Sequence, residues 1–368
     1  MSQKADTSHP LYGANLATLW SVWRKADGLS PDRRQHMRGA FSAALGRLPF
    51  SLVERAYVAV KRHQAKKAPA PIFILGHWRS GTTHLYNVLS KSDRFGYVSP
   101  FATALPWDFL LLGRALAPLL TKKLPEHRYI DKVQVNADSP QEDEIALANM
   151  TPLSFYHGLY FPKQFDHYFQ RGVFFDHTNA TDIAQWQRDL RYLYDKLALA
   201  QPGRRLLIKN PVYTARPAML RTLWPDAKFI HIHRNPVKVF LSMRNFYTAL
   251  FAQFALQDWS HVDIDRVVLE TYARMMSNLR AETKDLTKNQ FVELSFDNFQ
   301  SDPMAQIERI YDHLDLPDLD ADRPVFEGYL ESVRDYRKNS FTASDEAKEK
   351  VATHWGEFIR HWGYEDQI

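Results

Sequence analysis

Residues 71–85, PIFILGHWRSGTTHL, decide how the rest of the chain is read. An apolar run leads into Gly76 and Gly81, five positions apart, and then into two threonines, Thr82 and Thr83. This is the outline of a phosphate-cradling loop. The nucleoside triphosphate version, G-x-x-x-x-G-K-[ST], wraps phosphates in backbone N–H groups, sets a lysine on the β- and γ-phosphates and holds magnesium with the hydroxyl. Here Thr82 stands at the lysine position. The loop can still hold a phosphate at the start of the next helix, but it lacks the cation that answers a triphosphate tail. Arg79 offers a cation from the other side of Gly81. A glycine pair alone is also compatible with a plain strand-to-helix turn.

Outward from this loop, four short apolar runs each lead into a helical pattern: Ile72 to Leu75, Arg205 to Ile208, Lys228 to His233, and Phe291 to Leu294. Strands that alternate with helices imply an α/β fold, a central parallel sheet covered by helices on both faces in three layers. In such sheets ligands sit beyond the carboxyl ends of the strands. The conspicuous loops all start there: GHWRSGTT after the first run, KNP after the second and RNP after the third. In KFIHIHRNPVKVFLSMRNF (228–246), Arg234 ends a strand and Ser242 follows eight residues on, about two helical turns later. A guanidinium fork and a hydroxyl so placed can converge on one phosphate. Two phosphate sites on one sheet suggest a nucleotide phosphorylated at both ends of its ribose.

Before the first strand, residues 12 to 66 read as two or three amphipathic helices, with Leu16, Leu19, Trp20 and Trp23 on one face. The breaker KKAPAP closes them, so the expected organisation is an N-terminal helical extension, 1–70, and a main domain, 71–368. The 368 residues are 45% hydrophobic, enough for a sizeable core. Lysine and arginine total 47 against 42 acids, a net charge of +5 without a dense basic block, which argues against a nucleic-acid partner. There are no cysteines, so disulfides and thiolate metal sites are excluded. The polar opening MSQKADTSHP shows no secretory signal, and the expected location is cytoplasmic. LPWDFLLLGRALAPLL, 105–120, is interrupted by Asp108 and Arg114 and reads as a buried helix rather than a membrane span, with a greasy acceptor lining or membrane contact as the other reading.

With these loops in order, the sequence resembles the superfamily of sulfotransferases that use 3′-phosphoadenosine 5′-phosphosulfate (PAPS), in particular its bacterial branch with GHWRSGTT and KNP loops. The resemblance runs from Pro71 to Tyr364. PIFILGHWRSGTT is similar to the 5′-phosphosulfate loop and RNPVKVFLS to the 3′-phosphate motif. LLIKNP lies between them, VELSFDNFQSDP resembles the later strand and turn near the adenine, and YRKN (336–339) and WGY (362–364) complete the pattern. The resemblance implies a P-loop-like fold with PAPS as co-substrate and no metal. It implies that Arg79 contacts the bridging and sulfuryl oxygens and that Ser80, Gly81, Thr82 and Thr83 hold the 5′-phosphate. Arg234 and Ser242 match the 3′-phosphate pair; His84 and Phe296 fall at adenine positions; Lys338 falls near the 3′-phosphate or on the solvated surface. A sulfuryl group carries less charge than a γ-phosphoryl, so fixed cations, Arg79 and Lys209, can stabilise the departing phosphate without magnesium.

An acceptor hydroxyl also needs a base within reach. Related enzymes carry a glutamate soon after the phosphosulfate loop or a histidine after the lysine strand, and this chain has neither. DSPQEDEIALANM, 138–150, instead sets Glu142, Asp143 and Glu144 at a helix start. Acids there complement the helix dipole, yet crowded carboxylates also raise one another's pKa toward that of a useful base. Glu142 is the first choice and Glu144 the second. His231 and His233 share a strand face without a third metal-like ligand, so they read as structural. The aromatic stretch 154–169 reads as core or as acceptor lining, and the latter would suit a small molecule or lipid better than a charged glycan. The expected function is sulfuryl transfer from PAPS to a small-molecule, lipid or glycan hydroxyl, with peripheral membrane contact and oligomeric state open. The alternatives are a phosphate-loop kinase or nucleotide hydrolase, which should carry lysine at position 82, and a non-catalytic nucleotide-binding protein.

Overall fold

The computed structural model describes residues 9–65, 68–121, 136–334 and 342–368. The chain divides into two compact units, each assembled from separated stretches: Met1–Ala68, Val98–Gly203 and Ala249–Val262 form one, and Pro69–Tyr97, Arg204–Thr248 and Asp263–Ile368 the other.

The second unit holds a five-stranded parallel sheet: β1 (Ile72–Leu75), β2 (Phe95–Gly96), β3 (Arg205–Lys209), β4 (Lys228–His233) and β5 (Phe291–Ser295), in the order β2-β3-β1-β4-β5. Its strands are short runs buried on both faces, the composition that parallel sheets require. Side-chain alternation sorts the two layers. Ile72, Ile74, Ile230 and Ile232 pack with Leu85, Val88 and Leu89 of the helix Thr82–Leu89 and with Ile307 and Ile310 of the helix Pro303–His313. Phe73 stacks on Phe229 at 5.7 Å between ring centroids and meets Tyr213 edge-on. The helices Ile264–Thr283 and Asp345–His361 are locked by Tyr272 stacked on Trp355 at 4.0 Å. The four strands expected from sequence are present; β2 was not anticipated, because two residues carry no readable period. β1 lies between β3 and β4, where the strand order reverses, so the loops leaving these three neighbouring strands emerge side by side.

The first unit is helical. Asn15 caps the helix Leu16–Lys25 by accepting from the Thr18 N–H at 2.8 Å, and a 32-residue helix, Arg34–Ala65, follows. The face read from sequence is rotated in the structure: Leu19 and Val22 are buried, whereas Trp20 and Trp23 are exposed. The buried stripe is completed by Thr18 and Ala26, small residues that a search for large apolar side chains passes over. The segment expected as a buried helix at 105–120 is buried only in its first half. Asp108 and Leu110 lie inside, a π-helical turn spans Phe109–Gly113, and the helix Arg114–Thr121 carries Arg114 and Ala115 on the surface. Asp108 does not break the segment; it anchors it by accepting two hydrogen bonds from Arg47, at 3.0 and 3.1 Å. No described helix is long and apolar enough to cross a membrane.

Candidate active site

The phosphate loop is held from below by a residue that sequence reading missed. The Thr214 hydroxyl accepts from the Gly76 N–H at 2.7 Å and donates to the Gly76 carbonyl at 3.2 Å, fixing the peptides on both sides of Gly76. No local pattern marks this threonine, 138 positions away in the chain. The loop then turns through Arg79 (φ 69°) and Gly81 (φ 101°), both left-handed. Gly81 must be glycine for a second reason: a Cβ there would run into the Phe296 ring. The turn opens the helix Thr82–Leu89, whose first N–H groups, as at any helix start, have no carbonyl behind them in the helix.

The KNP and RNP loops have one construction. Asn210 accepts from the Val212 N–H at 3.0 Å and Asn235 from the Lys238 N–H at 3.2 Å, and each is followed by a proline that starts the next helical turn. The cation immediately before each asparagine, Lys209 or Arg234, is thereby fixed at a strand end. Lys209 is buried and donates to the Thr83 hydroxyl at 3.3 Å. Arg234 donates to the Arg79 carbonyl at 3.2 Å, and its guanidinium carbon lies 4.8 Å from the Phe296 ring centroid. Burial pulls the Arg234 guanidinium below its ordinary pKa; the Asp297 carboxylate opposes this and the Arg79 charge adds to it. Arg79 Nε in turn donates to the Ser242 hydroxyl at 2.9 Å. Arg79, Arg234, Ser242 and Phe296 are therefore one connected group, and Lys209 with Thr83 forms a second at the start of the helix Thr82–Leu89. His84 packs edge-on against Phe299 at 5.3 Å. Lys338 and the rest of YRKN lie outside the described residues.

The group fits a phosphorylated ligand. Ser80 Oγ and Arg234 Nε are buried polar atoms with no hydrogen-bond partner in the protein, open to an acceptor from a ligand. His77, in the same loop, is buried, and burial pulls its pKa down to about 4 despite a contact with the Trp78 carbonyl, so it adds no charge near neutrality. Beneath the RNP loop, His231 pairs with Glu293 at 2.7 Å and His233 with the Tyr364 hydroxyl at 3.0 Å, while His233 stacks on Trp362 at 4.7 Å. The two histidines share a face, as read from sequence, and they brace the carboxyl-terminal segment. Among the described residues no three His, Asp or Glu side chains form a metal-like group.

The three acids belong to the other unit. Glu142 is the extended N-cap of the helix Asp143–Met150 and is partly exposed. Asp143 is buried and accepts from the Tyr194 hydroxyl at 2.7 Å; Glu144 is buried and accepts from the Ser154 hydroxyl at 2.7 Å. The Tyr160 hydroxyl is pushed well above its ordinary pKa, first by burial and then by the Glu144 charge. The stretch 154–169 that follows is largely core, with Phe155, Leu159, Tyr160 and Phe161 fully enclosed.

A central parallel sheet, a lysine-free phosphate loop and arginine and lysine at neighbouring strand ends define an α/β protein with an anion-binding loop. Residues 71–321 match the profile described as the Sulfotransferase family, and the chain belongs to that family. It is 31% identical, over 298 residues covering 81% of this chain and 76% of the relative, to omega-hydroxy-beta-dihydromenaquinone-9 sulfotransferase Stf3 of Mycobacterium bovis, and equally to that of Mycobacterium tuberculosis. Its fold is similar to that of the crystal structure of sulfotransferase STF9 from Mycobacterium avium, with a TM-score of 0.71 at 17% identity over 98% of this chain and 92% of that one. Sulfotransferase STF1 from Mycobacterium tuberculosis is similar with a TM-score of 0.60 at 19% identity, over 95% and 94% of the two chains.

Proposed function

We propose that the protein transfers a sulfuryl group from PAPS to a hydroxyl of a lipid-like acceptor. The observation that carries this reading is the placement of three cations around one glycine loop: Lys209 on the Thr83 hydroxyl, Arg79 on the Ser242 hydroxyl and Arg234 on the Arg79 carbonyl. The nucleotide supplies an activated sulfur whose bond to the 5′-phosphate oxygen breaks as the acceptor oxygen attaches. Ser80, Gly81, Thr82 and Thr83 hold the 5′-phosphate, and Arg234 with Ser242 holds the 3′-phosphate. His84, Phe296 and Lys338 complete the nucleotide's surroundings. Lys209, tied to Thr83, stabilises charge on the departing phosphate. Arg79 helps it from the loop, and its bond to Ser242 links the 5′ and 3′ ends of the site. Glu142, the most accessible of the three acids, takes the acceptor proton, with Glu144 second. The lipid-like acceptor is supported by the relatives named for a hydroxylated menaquinone.

Calorimetric titration tests this directly. Adenosine 3′,5′-bisphosphate, the expected product, should bind equally well with excess EDTA and with magnesium, and ATP should bind at least about tenfold more weakly, the size of roughly one lost charged contact. Preference for magnesium-ATP would sink the proposal in favour of a kinase.

A further inference from the structure

The helix Arg34–Ala65 is apolar on two opposite faces. Met37, Ala40, Ala44, Val58 and Ala65 are buried. About half a turn away, Leu45 (63% exposed), Leu52, Val53 (60%), Tyr57 and Val60 (74%) point into solvent. At ~1.5 Å per residue these exposed side chains cover about 22 Å of the helix axis. One apolar stripe is what a surface helix needs to pack on its core, so a second, exposed stripe calls for a second cover. The patch continues beyond the helix, since exposed Trp23 meets Phe41 edge-on at 5.9 Å and exposed Trp20 packs on Trp23 at 5.3 Å.

Charge identifies what covers it. The helix contains one acid, Glu54, which is fully buried and engaged with Lys196 at 2.6 Å. Its exposed charges are all positive: Arg34 and Arg38 before the apolar stretch, Arg55, whose guanidinium lies over the Trp107 ring at 4.6 Å, and Lys61 and Arg62 after it. A second copy packed about a two-fold axis would bring Arg34 and Arg38 against either themselves or Lys61 and Arg62. Like charges would meet in both arrangements, with no acid on this helix to separate them. An anionic bilayer meets every feature: apolar side chains for the acyl boundary, tryptophans for the headgroup region, and cations for lipid phosphates.

We propose that this face is a peripheral membrane-docking surface that seats the protein on anionic lipid. The inference rests on the helix surface alone and is independent of the donor and acceptor chosen above.

Sedimentation of the full chain with vesicles tests it, using phosphatidylcholine alone and phosphatidylcholine mixed with phosphatidylglycerol. The wild type should sediment with the mixed vesicles and release as salt is added. L52D/V60D should weaken partitioning by at least about tenfold, and R34E/R38E should remove the preference for phosphatidylglycerol while leaving the near-ultraviolet circular dichroism unchanged. All four positions are exposed, so the fold should tolerate both variants. Failure of the wild type to bind mixed vesicles would overturn the proposal, as would undiminished binding by L52D/V60D. So would a wild-type dimer in analytical ultracentrifugation that L52D/V60D dissolves, since a second copy would then be the cover.

Discussion

Arg234 is held from three directions: its main chain by the Asn235 turn, one nitrogen by the Arg79 carbonyl, and its planar face by Phe296. Such a guanidinium is preorganised, so a ligand phosphate meets a fork whose rotamer freedom is already spent. Arg234→Ala should therefore weaken adenosine 3′,5′-bisphosphate binding by about 2–5 kcal/mol, and Arg234→Lys should recover only part, because a point charge cannot reproduce the fork. Calorimetry reads both, and unchanged affinity in the alanine variant would remove Arg234 from the site. At this scale the sequence was legible where backbone geometry forces residue type. Gly76 and Gly81 announce the loop, and Lys209 and Arg234 stand before Asn-Pro pairs that mark strand ends. Thr214 was not legible, because its value comes from lying beneath Gly76 in the fold and nothing around it in the chain says so. The Arg79–Ser242 contact was hidden for the same reason: its partners were read separately, one in each phosphate motif.

Among elements, β1, β3, β4 and β5 could be read because a strand buried on both faces must be continuously apolar. The π-helical turn Phe109–Gly113 could not, because what fixes it comes from two distant helices. Glu54, on Arg34–Ala65, accepts from the Leu110 and Leu111 N–H groups at 3.1 and 2.8 Å, so a buried carboxylate takes the place of a local cap. Lys196, on the helix Ala180–Ala200, pairs with Glu54 and also donates to the Pro106 carbonyl. Burial pulls Lys196 down to about 8 even against the attraction of Glu54, so desolvation is the larger influence on the lysine. Removing one partner of such a pair strands the other. Lys196→Met should cost about 3–5 kcal/mol in urea unfolding. Adding Glu54→Gln, which removes the stranded charge but keeps an oxygen for one of the two N–H groups, should restore part of that loss. Additive losses across this cycle would mean the two side chains do not act as a pair.

For the molecule as a whole, three enclosed histidines weaken the fold in acid, against the opposing carboxyl of Asp189, which burial raises to about 6. Burial pulls His77 and His157 to about 4 and His233 to about 3, with the neighbouring His231 charge adding to the last. Two of them have ring nitrogens committed to carbonyls, His157 to Ala148 at 2.8 Å and His77 to Trp78 at 3.0 Å. In the unfolded chain each takes up its proton near 6.5. As pH falls from 6.5 toward 4, the unfolded state therefore binds up to three protons that the folded state refuses. Stability from this source is complete above pH 6.5 and is lost on acidification through that window, with a slope of up to about 4 kcal/mol per pH unit. Urea midpoints measured from pH 7 to 5 should fall accordingly, and His157→Gln, which keeps a donor for the Ala148 carbonyl, should flatten the slope by about one third. A profile that is flat both in the wild type and in Asp189→Asn, which removes the opposing carboxyl, would mean that these histidines titrate alike in both states and that their enclosure does not penalise the charge. A slope that His157→Gln leaves unaltered would assign the acid response to other groups.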